Sequence, residues 1–296
     1  MTLLEQLQNM PSQGIALPWQ GFVRYRDSQC MGVRSPSISE DQKAKEDQPA
    51  AQGVPLVLLH GIGSGSGSWL HQLKDASLGR VLAWDAPGYA DSSALKMQEP
   101  AAADYARVLW AWLDALNIQD VHLVGHSLGC IMAAAAARLQ PCRVKALTLL
   151  APARGYGTAP EAVRKGKRDE RLQAMAQLGL QTMAEQRAPR LLSKHAHAEQ
   201  IALAVHMMSH LNEGGYTQAT HMLSHADIRA DLQAFRQVSD APVQVACGDE
   251  DVITPPQACQ DLAQFVKAPY TSLPGAGHVC ALEAHAYVAE KLRTRS

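Results

Sequence analysis

The chain has 296 residues, 47% of them hydrophobic and 19% charged, so it is long enough for a sizeable core and its composition argues against wholesale disorder. Its 27 Lys and Arg are balanced by 28 Asp and Glu, and this formal charge of -1 gives no electrostatic footprint for nucleic acid or an anionic membrane. No apolar run approaches the ~20 residues of a membrane-spanning helix, so neither nucleic acid nor a membrane is an expected partner.

The chain begins MTLLEQLQNMPSQG, which lacks the basic flank and apolar stretch of a secretory signal, so a cytoplasmic location is the default expectation. The six cysteines show no CxxC spacing. They are expected to be reduced and mostly buried, with no disulfide frame. They are Cys30, Cys130, Cys142, Cys247, Cys259 and Cys280.

Residues 20–34 are typical of a short hairpin, and the polar, highly charged stretch 35–53 predicts an exposed loop. Nearly continuous apolar runs, as in strands buried on both faces of a parallel sheet, then recur along the chain. They lie at 55–60, 80–84, 121–125, 144–150, 242–247 and 270–273. Helical patterns at 101–116 and 128–139 alternate with them, which predicts an α/β protein with a mostly parallel central sheet flanked by helices.

This alternation stops between about residues 160 and 235, where the pattern is helical and no strand-like run occurs. We therefore predict a helical cap at 155–236 inserted into a core made of 1–154 and 237–296. Because ligands of open α/β sheets bind at the carboxyl ends of the strands, the cap is expected to cover the site.

The strongest chemical signal is a G-x-S-x-G motif at 125–129, placed between the strand VHLV and an Ala-rich helix. In this strand–turn–helix context the two glycines permit a tight turn that exposes the hydroxyl of Ser127 above the sheet. The helix that follows offers free N–H groups and a positive dipole end to a developing oxyanion.

A second Gly-rich turn, His60-Gly61-Ile62-Gly63, follows the strand PLVLLH and can direct a backbone N–H at the same oxyanion. The amides of Ile62 and Leu128 are the expected donors. The adjacent Ser-Gly repeat at 64–68 lacks the Lys-Ser/Thr ending of a phosphate loop, so phosphate binding receives little weight.

Two later loops supply an acid and a base. Asp249, Glu250 and Asp251 follow the strand PVQVA, and His278 follows the strand YTSL. A serine hydroxyl needs an imidazole to accept its proton, and the imidazole needs a carboxylate to hold its tautomer. In this chain the serine comes first, then the acid, then the histidine, and this is the order found in proteins with such a strand–turn–helix motif.

With these motifs the chain resembles the α/β-hydrolase superfamily over 54–155 and 240–292, including the segment 85–92, which is similar to the family's D-x-P-G-x-G-x-S apart from Ala90. His285 stands where the family often has a proline. The resemblance implies Asp251 as the acid, with Asp249 as a minor alternative, because the family's acid lies three residues after the glycine. Residues 151–154 (APAR) offer no carboxylate for the other position that some members use.

The resemblance implies a serine hydrolase that cleaves a small carboxylic ester or lactone through an acyl-enzyme, with Ser127, His278 and Asp251 as triad and no metal, nucleotide or flavin. The chain looks most like bacterial enol-lactone hydrolases and small esterases. Alternatives are C–C bond hydrolysis of a vinylogous diketone, a perhydrolase-type activity, and a ligand-sensing protein with vestigial turnover. Serine rather than aspartate at position 127 disfavours dehalogenase and epoxide hydrolase chemistry.

Six of the twelve histidines lie in the predicted cap, and they include the pairs His206/His210 and His221/His225 at helical spacing. Neither pair encloses the glutamate of an H-E-x-x-H motif, so polar lining or surface is the expected role and no metal site is predicted. His126, next to the serine, is expected in the wall of the pocket.

Overall fold

The computed structural model describes residues 1–30 and 53–293. The predicted polar loop at 35–53 lies outside the described residues except for Gly53. Within the described ranges, no helix has both the length and the hydropathy that crossing a bilayer requires.

The centre of the described chain is an eight-stranded sheet in the order β1-β2-β4-β3-β5-β6-β7-β8. The strands are β1 (Gln13–Leu17), β2 (Gly21–Asp27), β3 (Leu56–Leu59), β4 (Val81–Trp84), β5 (Val121–His126), β6 (Val144–Leu150), β7 (Val243–Gly248) and β8 (Tyr270–Leu273). β2 pairs antiparallel with both β1 and β4, whereas all neighbours from β4 to β8 are parallel. The mostly parallel sheet predicted from the sequence is therefore confirmed.

The N-terminal hairpin differs from its prediction at 20–34. It is formed by β1 and β2, with Gln13 opposite Tyr25 and Leu17 opposite Gly21, so its first strand precedes the predicted range. The first strand, QGIAL, is short and only its last residue is fully buried, which leaves no alternation strong enough to detect.

Helices pack against the sheet. They are α1 (Leu3–Gln8), α2 (Leu70–Lys74), α3 (Ala102–Ala115), α4 (Leu128–Leu139), α5 (Glu161–Arg187), α6 (Ala198–Ser209), α7 (Glu213–His225), α8 (Ile228–Arg236), α9 (Pro256–Phe265), α10 (Cys280–Glu283) and α11 (His285–Arg293). Short 3₁₀ turns occupy Ser28–Cys30, Ser66–Trp69, Ala76–Leu78, Pro141–Arg143 and Ala188–Leu191.

The core is centred on α4, where ten consecutive residues from Leu128 to Ala137 are buried. Because most of them are alanine or glycine, α3, α8 and the sheet all approach the helix closely. Trp110 on α3 fixes one contact by donating its indole N–H to the carbonyl of Ala136 at 3.0 Å. Trp69, Trp84 and Trp112 are fully buried, as expected of core residues.

Between β6 and β7 the described chain contains helices and no strand, as the sequence predicts. Helix α8, however, lies inside the predicted cap range of 155–236 but packs on α4 of the core through buried Ile228, Leu232 and Phe235. We therefore propose that α5, α6 and α7 form the cap and that it ends near Asp227.

Candidate active site

Ser127 lies at a sharp turn between β5 and α4. Its backbone adopts φ 53° and ψ -114°, a conformation that a residue with a side chain rarely takes and that typically costs about 1–3 kcal/mol. Hydrogen bonds hold the turn, since the amide of Ser127 donates to the Leu150 carbonyl at 2.9 Å and the amide of Cys130 donates to the Ser127 carbonyl at 3.0 Å. Its hydroxyl makes no capping bond to α4, which leaves it available to the cavity above the sheet.

The two glycines of the motif are required by close backbone contacts. A Cβ at Gly129 would lie 2.1 Å from the carbonyl oxygen of Leu59, and one at Gly125 would lie 2.6 Å from Cα of Cys130. No side chain fits at these distances. The glycines therefore allow α4 to start directly against β3 and β5, which sets the direction of Ser127.

His278 and Asp251 are joined by a direct hydrogen bond. The imidazole Nδ1 of His278 lies 2.9 Å from Oδ2 of Asp251, and both side chains are buried. Because Asp251 approaches Nδ1, the bond favours the tautomer that leaves Nε2 free to accept a proton. Ser127 and His278 line the same cavity.

Further donors surround the carboxylate of Asp251. The amides of Ile253 and Thr254 donate to its Oδ1 at 2.8 and 3.0 Å, and the Thr254 hydroxyl lies 2.8 Å from its Oδ2. Burial alone would raise the pKa of Asp251, but His278 and these donors outweigh it and hold the pKa below its ordinary value. Asp251 is therefore ionised at neutral pH.

Asp249 points away from this cluster. It is exposed, and its Oδ1 accepts the amide of Gly275 at 2.8 Å. Glu250 instead approaches His195 and Lys194 at the edge of the cap. Of the three carboxylates in this loop, only Asp251 contacts His278.

The amides of Ile62 and Leu128 have no acceptor among the described residues, and both residues line the cavity together with Ser127. The two turns that carry them are close, because a Cβ on Gly61 would lie 3.2 Å from Cβ of Ser127. Two free backbone donors near a serine can stabilise an oxyanion that forms there.

Two side chains for which the sequence predicted no role support the Ile62 turn. Tyr89 donates its hydroxyl to the carbonyl of Ile62 at 2.9 Å. Buried His60 lies 2.8 Å from the carbonyl of Gly61 through Nδ1, and its Nε2 accepts the amide of Ala86 at 3.0 Å. Tyr89 belongs to the D-A-P-G-Y segment, so its place in that motif was the available signal.

The loop that carries His278 is held from three sides. His126 lines the cavity wall, as expected, and its Nε2 lies 2.8 Å from the carbonyl of His278. Burial lowers the pKa of His126 to about 3, so the ring is neutral and donates from Nε2. Glu283 accepts the amides of Ser193 and Gly277 at 2.8 and 2.9 Å, and the Leu191 carbonyl accepts the amide of His278 at 2.8 Å.

The cavity between the strand ends and the cap has a volume of about 580 Å³. Its lower part is formed by the Ser127 and Ile62 turns, and its apolar walls include Leu203, Met207 and Met208 of α6. A volume of this size accommodates a small organic substrate.

The Ser-Gly repeat at 64–68 has a structural role. Asp85 is buried and accepts both the amide and the hydroxyl of Ser66, at 2.7 and 2.9 Å. The Ser66 amide is therefore not available to a phosphate. All six cysteines are free. Four of them are buried, in agreement with the prediction that most of them are buried.

Two cap histidines meet a glutamate of the core. The possible ligand atoms of Glu99, His221 and His225 all lie within 4.8 Å of one another. Arg164 approaches Nδ1 of His225 at 3.2 Å, however, and this guanidinium opposes a cation at the same place. His206 and His210 contact each other through their rings, and Nδ1 of His210 lies 2.8 Å from the carbonyl of His206.

Comparison with known proteins identifies several similar sequences. The family model of the alpha/beta hydrolase fold matches residues 54–284. The chain is 40% identical over 108 residues to the dihydrolipoyllysine-residue acetyltransferase component of the acetoin cleaving system of Pseudomonas putida, across 36% of this chain and 29% of that one. It is 36% identical over 108 residues to 2-hydroxy-6-oxo-6-phenylhexa-2,4-dienoate hydrolase of Burkholderia cepacia, across 35% of this chain and 38% of that one. The matches thus span about a third of these relatives' lengths.

Solved structures match over nearly the whole chain. A thermophilic esterase from Thermogutta terrifontis superimposes with a TM-score of 0.75 at 22% identity, covering 96% of this chain and 97% of the other. The enol-lactonase from Burkholderia xenovorans gives a TM-score of 0.74 at 19% identity, covering 95% and 98%. At these identities the likeness establishes the fold alone.

Proposed function

Because the chain belongs to the α/β-hydrolase family, we propose that it is a serine hydrolase that cleaves a small carboxylic ester or lactone. The observation that carries the proposal is the shared cavity of Ser127 and His278, with Asp251 behind the imidazole and two free amides beside the serine. This combination supplies a nucleophile, a base and an oxyanion site in one place.

In the proposed mechanism the hydroxyl of Ser127 attacks the substrate carbonyl while Nε2 of His278 accepts its proton. Ionised Asp251 holds the imidazole and stabilises its charged form. The amides of Ile62 and Leu128 donate hydrogen bonds to the negatively charged carbonyl oxygen. Each such donor typically lowers the activation barrier by about 3–4 kcal/mol.

His278 then protonates the leaving alcohol, and the acyl group remains on Ser127. In the second half of the reaction His278 takes a proton from water as the water attacks the acyl-enzyme, and it returns this proton to Oγ of Ser127 as the acyl–oxygen bond breaks and the acid leaves. With a lactone, alcohol and acid stay in one molecule. None of these steps calls for a metal or an organic cofactor.

A second candidate is hydrolysis of a C–C bond beside a ketone. It is favoured by the relatives named as hydroxy-oxo-dienoate hydrolases, which are 34–36% identical to about a third of this chain. The same serine, histidine and oxyanion amides serve both reactions, so the distinction lies in the substrate.

Steady-state hydrolysis of p-nitrophenyl butyrate by the wild type and by Ser127→Ala tests the proposal. We expect turnover in the wild type and a loss of at least about a thousandfold in the variant, with both proteins giving the same thermal unfolding curve. An inert but folded wild type would remove the ester proposal from first place and favour the C–C substrate. A single turnover without sustained release would favour a ligand-sensing protein.

A further inference from the structure

The cap side of the candidate catalytic cavity is strongly basic. Five basic side chains and one acidic side chain of this wall line the cavity, in a chain whose formal charge is -1. The basic ones are Arg154, Lys167, Arg171, Arg187 and Arg190, and the acidic one is Glu170. The charge of the cavity is therefore not a reflection of the composition of the whole chain.

The acidic residue compensates for only one of these charges. Glu170 lies 3.2 Å from the ammonium group of Lys167, one turn away on α5. Across residues 1–30 and 53–293, no carboxylate lies within salt-bridge distance of Arg171 or Arg187. Arg154 and Arg190 likewise have no acidic partner in that part of the chain.

Arg187 is the best placed of the four arginines. It is half-buried, and its Nη1 donates to the hydroxyl of buried Tyr216 at 3.2 Å, which orients the guanidinium in the cavity wall. Of its five N–H groups, this one bond uses a single donor. Half-buried Arg171 lines the same wall from α5.

Much of the remaining wall is apolar. Ile62 and Leu128 lie next to Ser127, and Leu203, Met207 and Met208 continue this surface along α6. A ligand that fits both surfaces has an apolar middle and an anionic end. A guanidinium binds a carboxylate through two parallel N–H donors, and partial burial strengthens the pair.

Building on the proposed function, we propose that the natural substrate carries a carboxylate besides the group that is cleaved, and that Arg187 binds this carboxylate. Arg171 adds to the positive potential on the same wall. The apolar chain between the two ends of the substrate spans the cavity, so the bound anion positions the reacting carbonyl over Ser127.

A matched pair of esters tests this inference. Mono-p-nitrophenyl adipate and p-nitrophenyl hexanoate have acyl chains of the same carbon number and differ in the terminal carboxylate. With spontaneous hydrolysis subtracted, we expect the wild type to favour the anionic ester by about tenfold or more in kcat/KM. The preference should shrink as NaCl is raised, because the cationic wall is partly exposed.

The same ratio of kcat/KM for the two esters is then measured in variants. Arg187→Met removes the charge and keeps the apolar stem, and it should lower the preference about tenfold or more, whereas Arg187→Lys should retain part of it. Arg107→Met is the matched control, since Arg107 is an exposed arginine on α3 that is paired with Asp104. A wild-type ratio of one or below, or a ratio that Arg187→Met leaves unchanged, overturns the inference.

Binding of adipate separates this inference from the hydrolase proposal. Calorimetric titration of adipate into Ser127→Ala requires no turnover, and we expect affinity that Arg187→Met weakens about tenfold or more. If neither ester is hydrolysed, the hydrolase proposal fails and this titration alone decides the anion site. The anion site is contradicted if adipate does not bind at millimolar concentration. It is also contradicted if Ser127→Ala and Ser127→Ala/Arg187→Met bind adipate with equal affinity.

Discussion

Ser127 has a backbone conformation that serine rarely adopts. A φ of 53° would be relaxed for glycine, yet the position holds a serine that β5, α4 and the Leu150 carbonyl fix in place. The strain is compensated by burial around it, since every residue of β5 and nearly all of α4 is buried. A hydroxyl raised above the sheet is the result.

Asp251 gives the first prediction at this scale. Asp251→Asn keeps the shape of the side chain but loses the charge that stabilises the imidazolium, and it can impose the wrong tautomer on His278. We expect kcat for p-nitrophenyl butyrate to fall about 10⁴-fold. Asp249→Asn, two positions away and bonded only to the Gly275 loop, should stay within about twofold. Equal losses in the two variants would contradict the assignment of the acid.

A second prediction concerns the Tyr89 hydroxyl, which supports the Ile62 turn. Tyr89→Phe removes the hydroxyl that holds the Ile62 carbonyl, so the amide on the same turn is less well fixed, and we expect kcat to fall about threefold to tenfold. Tyr105→Phe is the matched control, because the buried Tyr105 hydroxyl has no hydrogen-bond partner among the described residues. An unchanged kcat in Tyr89→Phe would show that the turn does not need this bond.

At the scale of elements, the longest cap helix is interrupted. α5 bends at Gly179, which has φ 71° and ψ 163°, so the helix changes direction between its basic cavity-facing first part and the turn that reaches Leu191. The second part leads into Ala188–Leu191, whose last carbonyl holds the amide of His278. The part of the chain after the bend therefore links the cap to the loop that carries His278, the proposed base.

Two glycines of α5 form a matched test of this bend. A Cβ would meet open space at both Gly166 and Gly179, but only Gly179 has positive φ. Gly179→Ala should lower the free energy of unfolding by about 1–2 kcal/mol, whereas Gly166→Ala should raise it by about 0.5–1 kcal/mol. Urea unfolding measures both. A gain in stability at Gly179 would mean that the helix can straighten.

The elements also show where sequence patterns carried information and where they did not. Strands β3 to β7 are apolar on both faces, and that pattern placed them to within about a residue. β1 exposes two of its five residues and buries only one, and it went undetected. α8 is helical as predicted, but its packing on α4 depends on tertiary contacts that its own amphipathic pattern does not specify.

At the scale of the whole molecule, several buried or half-buried histidines of the described chain are neutral at pH 7 because their pKa is lowered. Burial lowers the pKa of His126 to about 3, and burial together with His285 and Lys74 lowers the pKa of His71 to about 4. Burial also lowers the pKa of His60. These histidines recover an ordinary pKa near 6.5 on unfolding, so the unfolded chain binds more protons as the pH falls.

The free energy of unfolding should therefore decrease as the pH falls from about 6.5 toward 4. Each such group contributes up to about 1.4 kcal/mol per pH unit within that window. Asp251 acts in the same direction below its ordinary pKa, because its own pKa is lowered. Urea unfolding at pH 7, 6, 5 and 4.5 measures the slope.

His71→Gln tests the origin of that slope, since His71 lies outside the candidate catalytic cavity. Removing one titrating group should make the decrease shallower between pH 6.5 and 4 while leaving ester hydrolysis at pH 7 unchanged. A slope identical to that of the wild type would assign the acid sensitivity to other groups.

The motifs point to the proposed chemistry more directly than to a substrate. Ser127, Asp251 and His278 lie in short segments whose spacing is characteristic, and the structure places all three at one end of the sheet. The basic cavity wall has no such motif. It arises from side chains on the loop after β6, on α5 and on the turn that follows, and their common direction depends on how the cap is folded.

Reaction with diisopropyl fluorophosphate, followed by intact-mass measurement and peptide mapping, tests the central claim most directly. An activated serine beside an imidazole is phosphorylated by this reagent, whereas ordinary surface serines are not. We predict one equivalent of label on the peptide that contains Ser127, none in Ser127→Ala, and much slower labelling in His278→Ala. A wild type that stays unlabelled, or a label at another residue, would contradict the account.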